Sequence, residues 1–247
     1  MVERITITIN DKLLKKIDST VGSNSIRNRS QAISLLLEKS LGKTQEMSAL
    51  ILCGKPENAL KKEGGLTTLE KILNYLKKNN FTRVILALST NSQKIIDLLK
   101  NFHGIKIEYV WDEGKGTALA LEKAQGLLKE TFLLSYADVS YEELDLNDFK
   151  DFHNKNKGAC TIALAEAKKP LELGVAKLMG SKVIDFEEKP TATDTNLVNA
   201  GVALCEPQVF NYINSKTTSF EKNLLPLLAK QGKLMGYNYS GEWKHYG

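Results

Sequence analysis

Cysteine is scarce in this 247-residue chain, which has only Cys53, Cys160 and Cys205. An odd number at wide spacing, with no C-x-x-C pair and no histidine nearby, excludes a disulfide framework and a thiolate metal cage. The three read as buried thiols of a reducing cytoplasm. Long apolar runs are also lacking. Those present, such as Val84 to Leu88, fall far short of the roughly 20 residues that a bilayer span requires, so no membrane partner is expected. The opening residues, with Glu3 and Arg4, lack the basic stretch and apolar segment of a secretory signal, and a soluble cytoplasmic protein is expected. Excess charge is nearly absent after residue 45. Residues 1–45 hold eight Lys/Arg against four Asp/Glu, leaving 26 against 25 beyond, so most of the net +5 sits where a polyanion can use it. At 42% apolar residues, the length suits one sizeable core with a small appendage.

The appendage comes first. Residues 3–9, Glu-Arg-Ile-Thr-Ile-Thr-Ile, alternate with period 2, placing Ile5, Ile7 and Ile9 on one face of a strand and Arg4, Thr6 and Thr8 on the other. Asn10 or Asp11 can cap a short helix from Lys12 to about Ser19 with Leu13, Leu14 and Ile17 as its apolar stripe and Gly22 as its stop. Asn28, followed three residues later by Gln31, has the form of a capping box. It opens a second helix through Leu41, with Ala32, Ile33, Leu36 and Leu37 inward and Gly42 beyond. A strand and two helices in residues 1–44 bury too little surface to fold alone. Two chains pairing their strands antiparallel would solve that, and a two-stranded ribbon fits the major groove of DNA. The same pattern also suits a plain dimerisation hairpin or an edge strand of the larger domain.

With Arg29-Ser30-Gln31-Ala32-Ile33 opening its second helix, this stretch resembles the ribbon-helix-helix repressors. The resemblance implies a homodimer, with dimer and tetramer both open, bound to double-stranded DNA. It gives base reading to Arg4, Thr6 and Thr8, and phosphate clamping to Asn28, Arg29 and Ser30 at a helix N-terminus.

Lys43 to Ser48 forms a polar linker, after which apolar runs alternate with helical patterns. Strands are predicted at Ala49–Cys53, Arg83–Leu88, Lys106–Trp111 and Thr131–Tyr136, and helices at Thr68–Lys78, Ser92–Phe102 and Thr117–Lys129. Such βαβ repetition implies a mainly parallel sheet with ligands at the carboxyl ends of its strands. Asp138 follows such an end, where a ligand or a divalent cation would sit. A turn or helix-cap role is the competing reading.

Several short stretches stand in the order seen in sugar-phosphate nucleotidyltransferases, and residues 49–247 resemble that family through them. They are Gly116-Thr117-Ala118, Ala137-Asp138, Leu173-Gly174-Val175, Glu188-Lys189-Pro190, Asn199-Ala200-Gly201, Ser219-Phe220-Glu221-Lys222 and Trp243-Lys244-His245-Tyr246-Gly247. The resemblance implies an α/β fold, Rossmann-like and of GT-A type, with a mixed sheet flanked by helices. It implies Mg²⁺ on Asp138, sugar hydroxyls on Glu188 and the sugar phosphate on Lys189. Gly174 and Gly201 would let backbone approach the sugar, with Asn199 beside them. Gly54, Lys55, Gly116 and Thr117 complete the implied ligand positions.

Two motifs depart from the family. The phosphate-cradling G-x-G-T-R loop is replaced by Leu52-Cys53-Gly54-Lys55-Pro56-Glu57-Asn58, and only nine residues separate Gly54 from Gly64-Gly65. In the W-x-D-x-G motif His245 takes the place of the second metal-binding carboxylate, and imidazole is a poor Mg²⁺ ligand, so Mg²⁺ binding is expected to be weakened. The expectation is therefore an inactive nucleotidyltransferase homologue, with no residue assigned a catalytic role. That domain would bind a sugar phosphate, nucleotide or nucleotide sugar as effector of a DNA-binding transcription regulator. The alternative is an active sugar-1-phosphate nucleotidyltransferase with an N-terminal dimerisation module.

Overall fold

The computed structural model describes residues 5–21, 26, 28–40, 47–112, 114 and 116–246. The chain divides into two compact units, Met1–Gln45 and Glu46–Gly247.

In the first unit a helix spans Asp11–Asp18, capped by the Asn10 side chain, which accepts from the Leu13 N–H at 2.9 Å. A second helix spans Arg29–Ser40, with the Asn28 carbonyl oxygen accepting from the Gln31 N–H at 2.9 Å. Ile17 and Ala32 are buried between them. Leu36 and Leu37, predicted to face inward, are exposed, as are Ile5, Ile7 and Leu13. Of the predicted strand, the described residues 5–10 join no ladder, since the partner it calls for is a second chain. Gly22 and Gly42 lie outside the described residues.

The second unit is built on a sheet of nine strands. In chain order they are β1 (Ser48–Cys53), β2 (Arg83–Leu88), β3 (Lys106–Trp111), β4 (Phe132–Tyr136), β5 (Cys160–Glu166), β6 (Gly174–Met179), β7 (Lys182–Glu188), β8 (Leu197–Cys205) and β9 (Leu234–Asn238). Their order across the sheet is β3-β2-β1-β4-β8-β5-β9-β7-β6. The first four are parallel. The predicted mainly parallel sheet is corrected beyond them, because β8 returns antiparallel between β4 and β5 and β7 lies antiparallel to β9 and β6.

The central strands are apolar throughout because both faces are covered. Ala49, Ile51 and Cys53 of β1 enter one core and Leu50 and Leu52 the other. Local signals set the helices. Thr67 and Glu70 form a reciprocal capping box that starts Thr68–Lys78, whose Leu69, Ile72, Leu73 and Leu76 are buried. The helix predicted over 92–102 is shorter, Gln93–Leu99, and the one predicted over 117–129 runs Thr117–Lys123 before tightening into a 3₁₀ turn at Gln125–Leu127, around Gly126. The three cysteines are free and buried, and Cys160 and Cys205 lie opposite each other in β5 and β8 with sulfurs 3.6 Å apart. No described helix is long and apolar enough to cross a membrane.

A buried polar chain fastens the helix Leu146–Asn156 to the sheet. His153 Nδ1 lies 2.7 Å from Thr161 Oγ1, and its Nε2 lies 3.0 Å from a Glu206 oxygen that also accepts from Thr131. Burial lowers the His153 pKa below its ordinary 6.5, with Glu206 partly offsetting the effect. The unfolded chain therefore binds this proton more readily, so stability is fully present above the ordinary pKa and is lost as pH falls. Urea midpoints of the wild type should drop more steeply between about pH 7 and pH 5 than those of His153→Gln. Equal slopes would show that this burial carries no proton linkage.

Candidate active site

A cavity of about 520 Å³ opens at the carboxyl ends of β1 and β4. Every ligand and metal position predicted in the large unit lines it: Gly54, Lys55, Gly116, Thr117, Asp138, Gly174, Glu188, Lys189, Asn199, Gly201 and His245.

On one side, β1 ends at Cys53, and Gly54-Lys55 leads into the short helix Pro56–Ala59. Burial pushes the Cys53 thiol pKa far up, and the carboxylates of Asp138 and Asp112 add to that, so the sulfur stays protonated. Gly116 has φ 130°, and a Cβ there would lie 2.1 Å from the Thr218 carbonyl oxygen. That same oxygen accepts from the Ala118 N–H at 3.1 Å. The Thr117 hydroxyl donates to Glu221 at 2.9 Å and accepts from the Phe220 N–H at 2.8 Å. Residues 116–118 and 218–221 are thereby stapled together. Burial raises the Glu221 pKa, and hydrogen bonds from its own backbone and from Thr117 oppose the shift.

Across the cavity, Gly174 makes room for a carboxylate, since a Cβ there would meet the Phe186 ring at 2.5 Å and Glu188 Oε2 at 2.7 Å. Burial raises the Glu188 pKa, and the charges of Lys189 and Lys222 hold it back. Lys189 takes the left-handed conformation at φ 53° and donates its N–H to Leu173 at 3.0 Å. In β8 the Asn199 side chain accepts from the Gly201 N–H at 3.1 Å. Gly201 has φ 77°, and a Cβ there would press on Val139 at 2.8 Å.

The third wall is a two-stranded ribbon in which Lys244–His245 pairs antiparallel with Val139–Ser140. The Tyr246 N–H donates to the Asp138 carbonyl at 2.8 Å, and His245 Nε2 stands 3.9 Å from Asp138 Oδ2. Trp243 donates its indole N–H to Ala200 O at 2.7 Å and stacks on the His245 ring at 6.3 Å with 10° between planes. Glu63 secures this ribbon from the hairpin of Lys62–Glu63 and Leu66–Thr67. It accepts from Lys71 at 2.6 Å, from the Tyr246 hydroxyl at 2.6 Å and from Lys244 at 3.2 Å, and those bonds lower its pKa to about 2. Lys61 also donates to the Tyr246 carbonyl. Among the described residues no three His, Cys, Asp or Glu side chains converge as a metal cage.

Sequence reasoning assigned no role to Asn58, Asp112, Glu172, Glu221 or Trp243, all of which line the cavity. Asp112 follows β3 directly and was open to the strand-end argument that selects Asp138. Glu221 and Trp243 lie in stretches quoted for their likeness. Asn58 and Glu172 carry no local signal.

The residues predicted to hold DNA are placed differently. Thr6 and Thr8 are exposed but belong to no ribbon, and Arg4 lies outside the described residues. Asn28 spends its side-chain oxygen on the helix cap. Arg29 makes a paired contact with Asp18 at 2.6 and 2.8 Å, leaving Ser30 exposed in the first turn.

The sequence profile of the Nucleotidyl transferase family matches residues 55–247. A mannose-1-phosphate guanyltransferase of Saccharomyces cerevisiae is 30% identical over 176 residues, covering 67% of this chain and 48% of the relative. A probable mannose-1-phosphate guanylyltransferase 1 of Oryza sativa subsp. japonica is 31% identical over 182 residues, covering 70% and 50%. The chain thus spans about half the length of these curated relatives. Among solved structures, a putative glucose-1-phosphate thymidylyltransferase from Bacillus anthracis aligns with TM-score 0.69 at 19% identity, covering 81% of this chain and 89% of that one. HddC from Yersinia pseudotuberculosis, complexed with GMP-PN, aligns with TM-score 0.70 at 19% identity, covering 81% and 93%. These bear out the nucleotidyltransferase-like α/β fold with a mixed sheet. The relatives carry enzyme names, which corrects the expectation of an inactive homologue serving a DNA-binding transcription regulator, and with it double-stranded DNA as partner. The physical reason lies in the site: the two departures from the family leave the cavity assembled on all its walls. By the profile that covers most of its length, the chain belongs to the nucleotidyl transferase family.

Proposed function

We propose that residues 49–247 transfer a nucleotidyl group from a nucleoside triphosphate to a sugar 1-phosphate, and that residues 1–44 form a ribbon-helix-helix-like dimerisation module of a cytoplasmic enzyme. The observation that carries the first part is the convergence of Gly116-Thr117, Asp138, Glu188-Lys189 and Asn199–Gly201 on one cavity. The relatives' names make mannose 1-phosphate and GTP the first substrates to try.

In this reaction an oxygen of the sugar phosphate attacks the α-phosphorus, a new P–O bond forms, and the bond from that phosphorus to the β-phosphate oxygen breaks to release pyrophosphate. Lys189 holds the sugar phosphate as a fixed cation and Glu188 accepts from sugar hydroxyls. The stapled Gly116-Thr117 turn and Gly54-Lys55 border the nucleotide, with Lys55 as a nearby positive charge. Positioning and electrostatics supply the acceleration, with no covalent intermediate on the protein. Asp138 offers a hard carboxylate oxygen to the cavity, a donor for a divalent cation that would complete its shell with phosphate oxygens and water. Such an ion, when bound, would neutralise charge where the two phosphates meet.

Dimerisation rests on the apolar side chains that the first unit leaves in solvent, Ile5 at 71% exposure and Ile7 and Leu13 at 50% each, with Leu36 and Leu37 beside them in sequence pattern. A second copy offers the same surface in return.

Incubated with a dication, a panel of nucleoside triphosphates and mannose or glucose 1-phosphate, the chain should release pyrophosphate. Lys189→Ala should raise KM for the sugar phosphate by about ten- to a hundredfold with a far smaller change in kcat. Silence across the whole panel would end the enzyme reading. In sedimentation the full chain should be a dimer at micromolar concentration and the chain lacking residues 1–44 a folded monomer. A monomeric full chain would remove the role given to the module. Gly116→Ala should lower stability by about 1–3 kcal/mol in denaturant melts, because it adds a left-handed strain to a backbone clash. Gly54→Ala, with open space around its Cβ position, should change stability by less than about 0.5 kcal/mol.

A further inference from the structure

Asp138 and His245 face each other across a gap that no direct bond closes. Their separation of 3.9 Å exceeds hydrogen-bond length, and the Asn58 amide reaches the same Asp138 oxygen only at 3.4 Å. Both side chains are partly exposed to the cavity, His245 at 37% and Asp138 at 23%. A carboxylate oxygen and an imidazole nitrogen each bind a dication at about 2.0–2.2 Å, so donors about 3.0–3.5 Å apart share one ion at right-angle or tetrahedral geometry. The 3.9 Å gap lies just outside that range, and a small side-chain rotation closes it.

The backbone holds both donors in place. His245 pairs directly with Val139, the residue after Asp138, and the next N–H, from Tyr246, bonds the Asp138 carbonyl. The imidazole is further fixed by its stacking on Trp243, itself anchored to Ala200, and the ribbon by Lys244 and Tyr246 on Glu63. A ring so restrained loses little freedom on taking up an ion. The donor pair is mixed, one hard oxygen and one borderline nitrogen. Mg²⁺ strongly prefers oxygen, whereas first-row transition dications accept such a set.

We propose that His245 is a metal ligand and that, with Asp138, it makes this site select a transition dication of the Mn²⁺, Co²⁺ or Zn²⁺ class over Mg²⁺. The remaining positions are left to water and phosphate oxygens. The inference takes the ion's purpose from the nucleotidyl-transfer reading, but the binding itself is measurable without turnover.

Untagged full-length protein is titrated with Mn²⁺, following the loss of the free-ion electron paramagnetic resonance signal, with Mg²⁺ as competitor. Wild type, His245→Asp, His245→Ala and Asp138→Asn are compared, each first shown to melt like the wild type. Mn²⁺ should bind the wild type at millimolar concentration or below. His245→Asp should move the Mg²⁺-to-Mn²⁺ affinity ratio at least about tenfold toward Mg²⁺, and Asp138→Asn should weaken both ions. Spin-echo modulation from a directly bound ¹⁴N should be present on wild-type Mn²⁺ and absent in both His245 variants. That signature comes from the wild type alone, so a variant that fails to fold does not shelter the idea. No binding at millimolar Mn²⁺, no nitrogen modulation in the wild type, or an unchanged ion ratio in the His245 variants overturns the proposal. Pyrophosphate release is followed in parallel. Nitrogen-ligated Mn²⁺ without any turnover would strike the nucleotidyl-transfer reading and leave this one standing, whereas turnover with no nitrogen signal would do the reverse.

Discussion

Strand β8 pairs antiparallel with β4 on one side and β5 on the other, and the break in its register between Asn199 and Ala203 lets it serve both. A bulge leaves residues outside the ladder, kinks the strand and re-aims its side chains. Here it turns the Asn199 side chain back onto the Gly201 N–H and leaves the Ala200 carbonyl for the Trp243 indole. The positive φ of Gly201 and its missing Cβ let Val139 pack against it. The parallel half supplies Asp138 and the antiparallel half supplies Glu188 and Lys189. Without this seam those groups would belong to two separate surfaces.

The charges around the cavity follow their surroundings. Glu188 and Glu221 are raised by burial, so each is costly to ionise unless a cation or hydroxyl meets it, and each has such neighbours. Glu63 is the opposite case, an open carboxylate held low by three donors. Its bonds are surface bonds, individually weak in solvent. They act together on a ribbon of only two residue pairs, where little else resists fraying.

Much of this was readable from local pattern. The bounds of Thr68–Lys78, Arg83–Leu88 and Lys106–Trp111 are those expected, because a capping box and short apolar runs are decided by near neighbours. The positions that line the cavity stood in the sequence as short stretches in a familiar order, Gly116-Thr117-Ala118, Glu188-Lys189-Pro190 and Asn199-Ala200-Gly201 among them. Long-range facts were not: the insertion of β8 beside β4, Asn58 reaching Asp138, and Glu63 meeting residues 244 and 246 all depend on pairings distant in sequence. The strand at residues 3–9 needed a partner that one chain does not contain. The functional expectation failed for a further reason. It counted two altered motifs as the loss of the site, although the shortened loop still lines the cavity with Gly54, Lys55 and Asn58, and His245 still faces Asp138.

The ribbon of Lys244–His245 on Val139–Ser140 has a consequence for how the molecule is made. β1 to β4 can collapse early in synthesis, because their contacts lie within the first half of the large unit. The wall carrying Trp243 and His245 leaves the ribosome long afterwards. For that interval the emerging chain holds a packed sheet with an open notch at its carboxyl edge, where Val139, Gly201 and the Ala200 carbonyl await their cover. A ligand that needs all three walls will find them only once residues 243–245 have been made, and its binding will stabilise such chains selectively over shorter ones. Proteolytic clipping within these few residues would leave a core that still folds and a site that no longer closes.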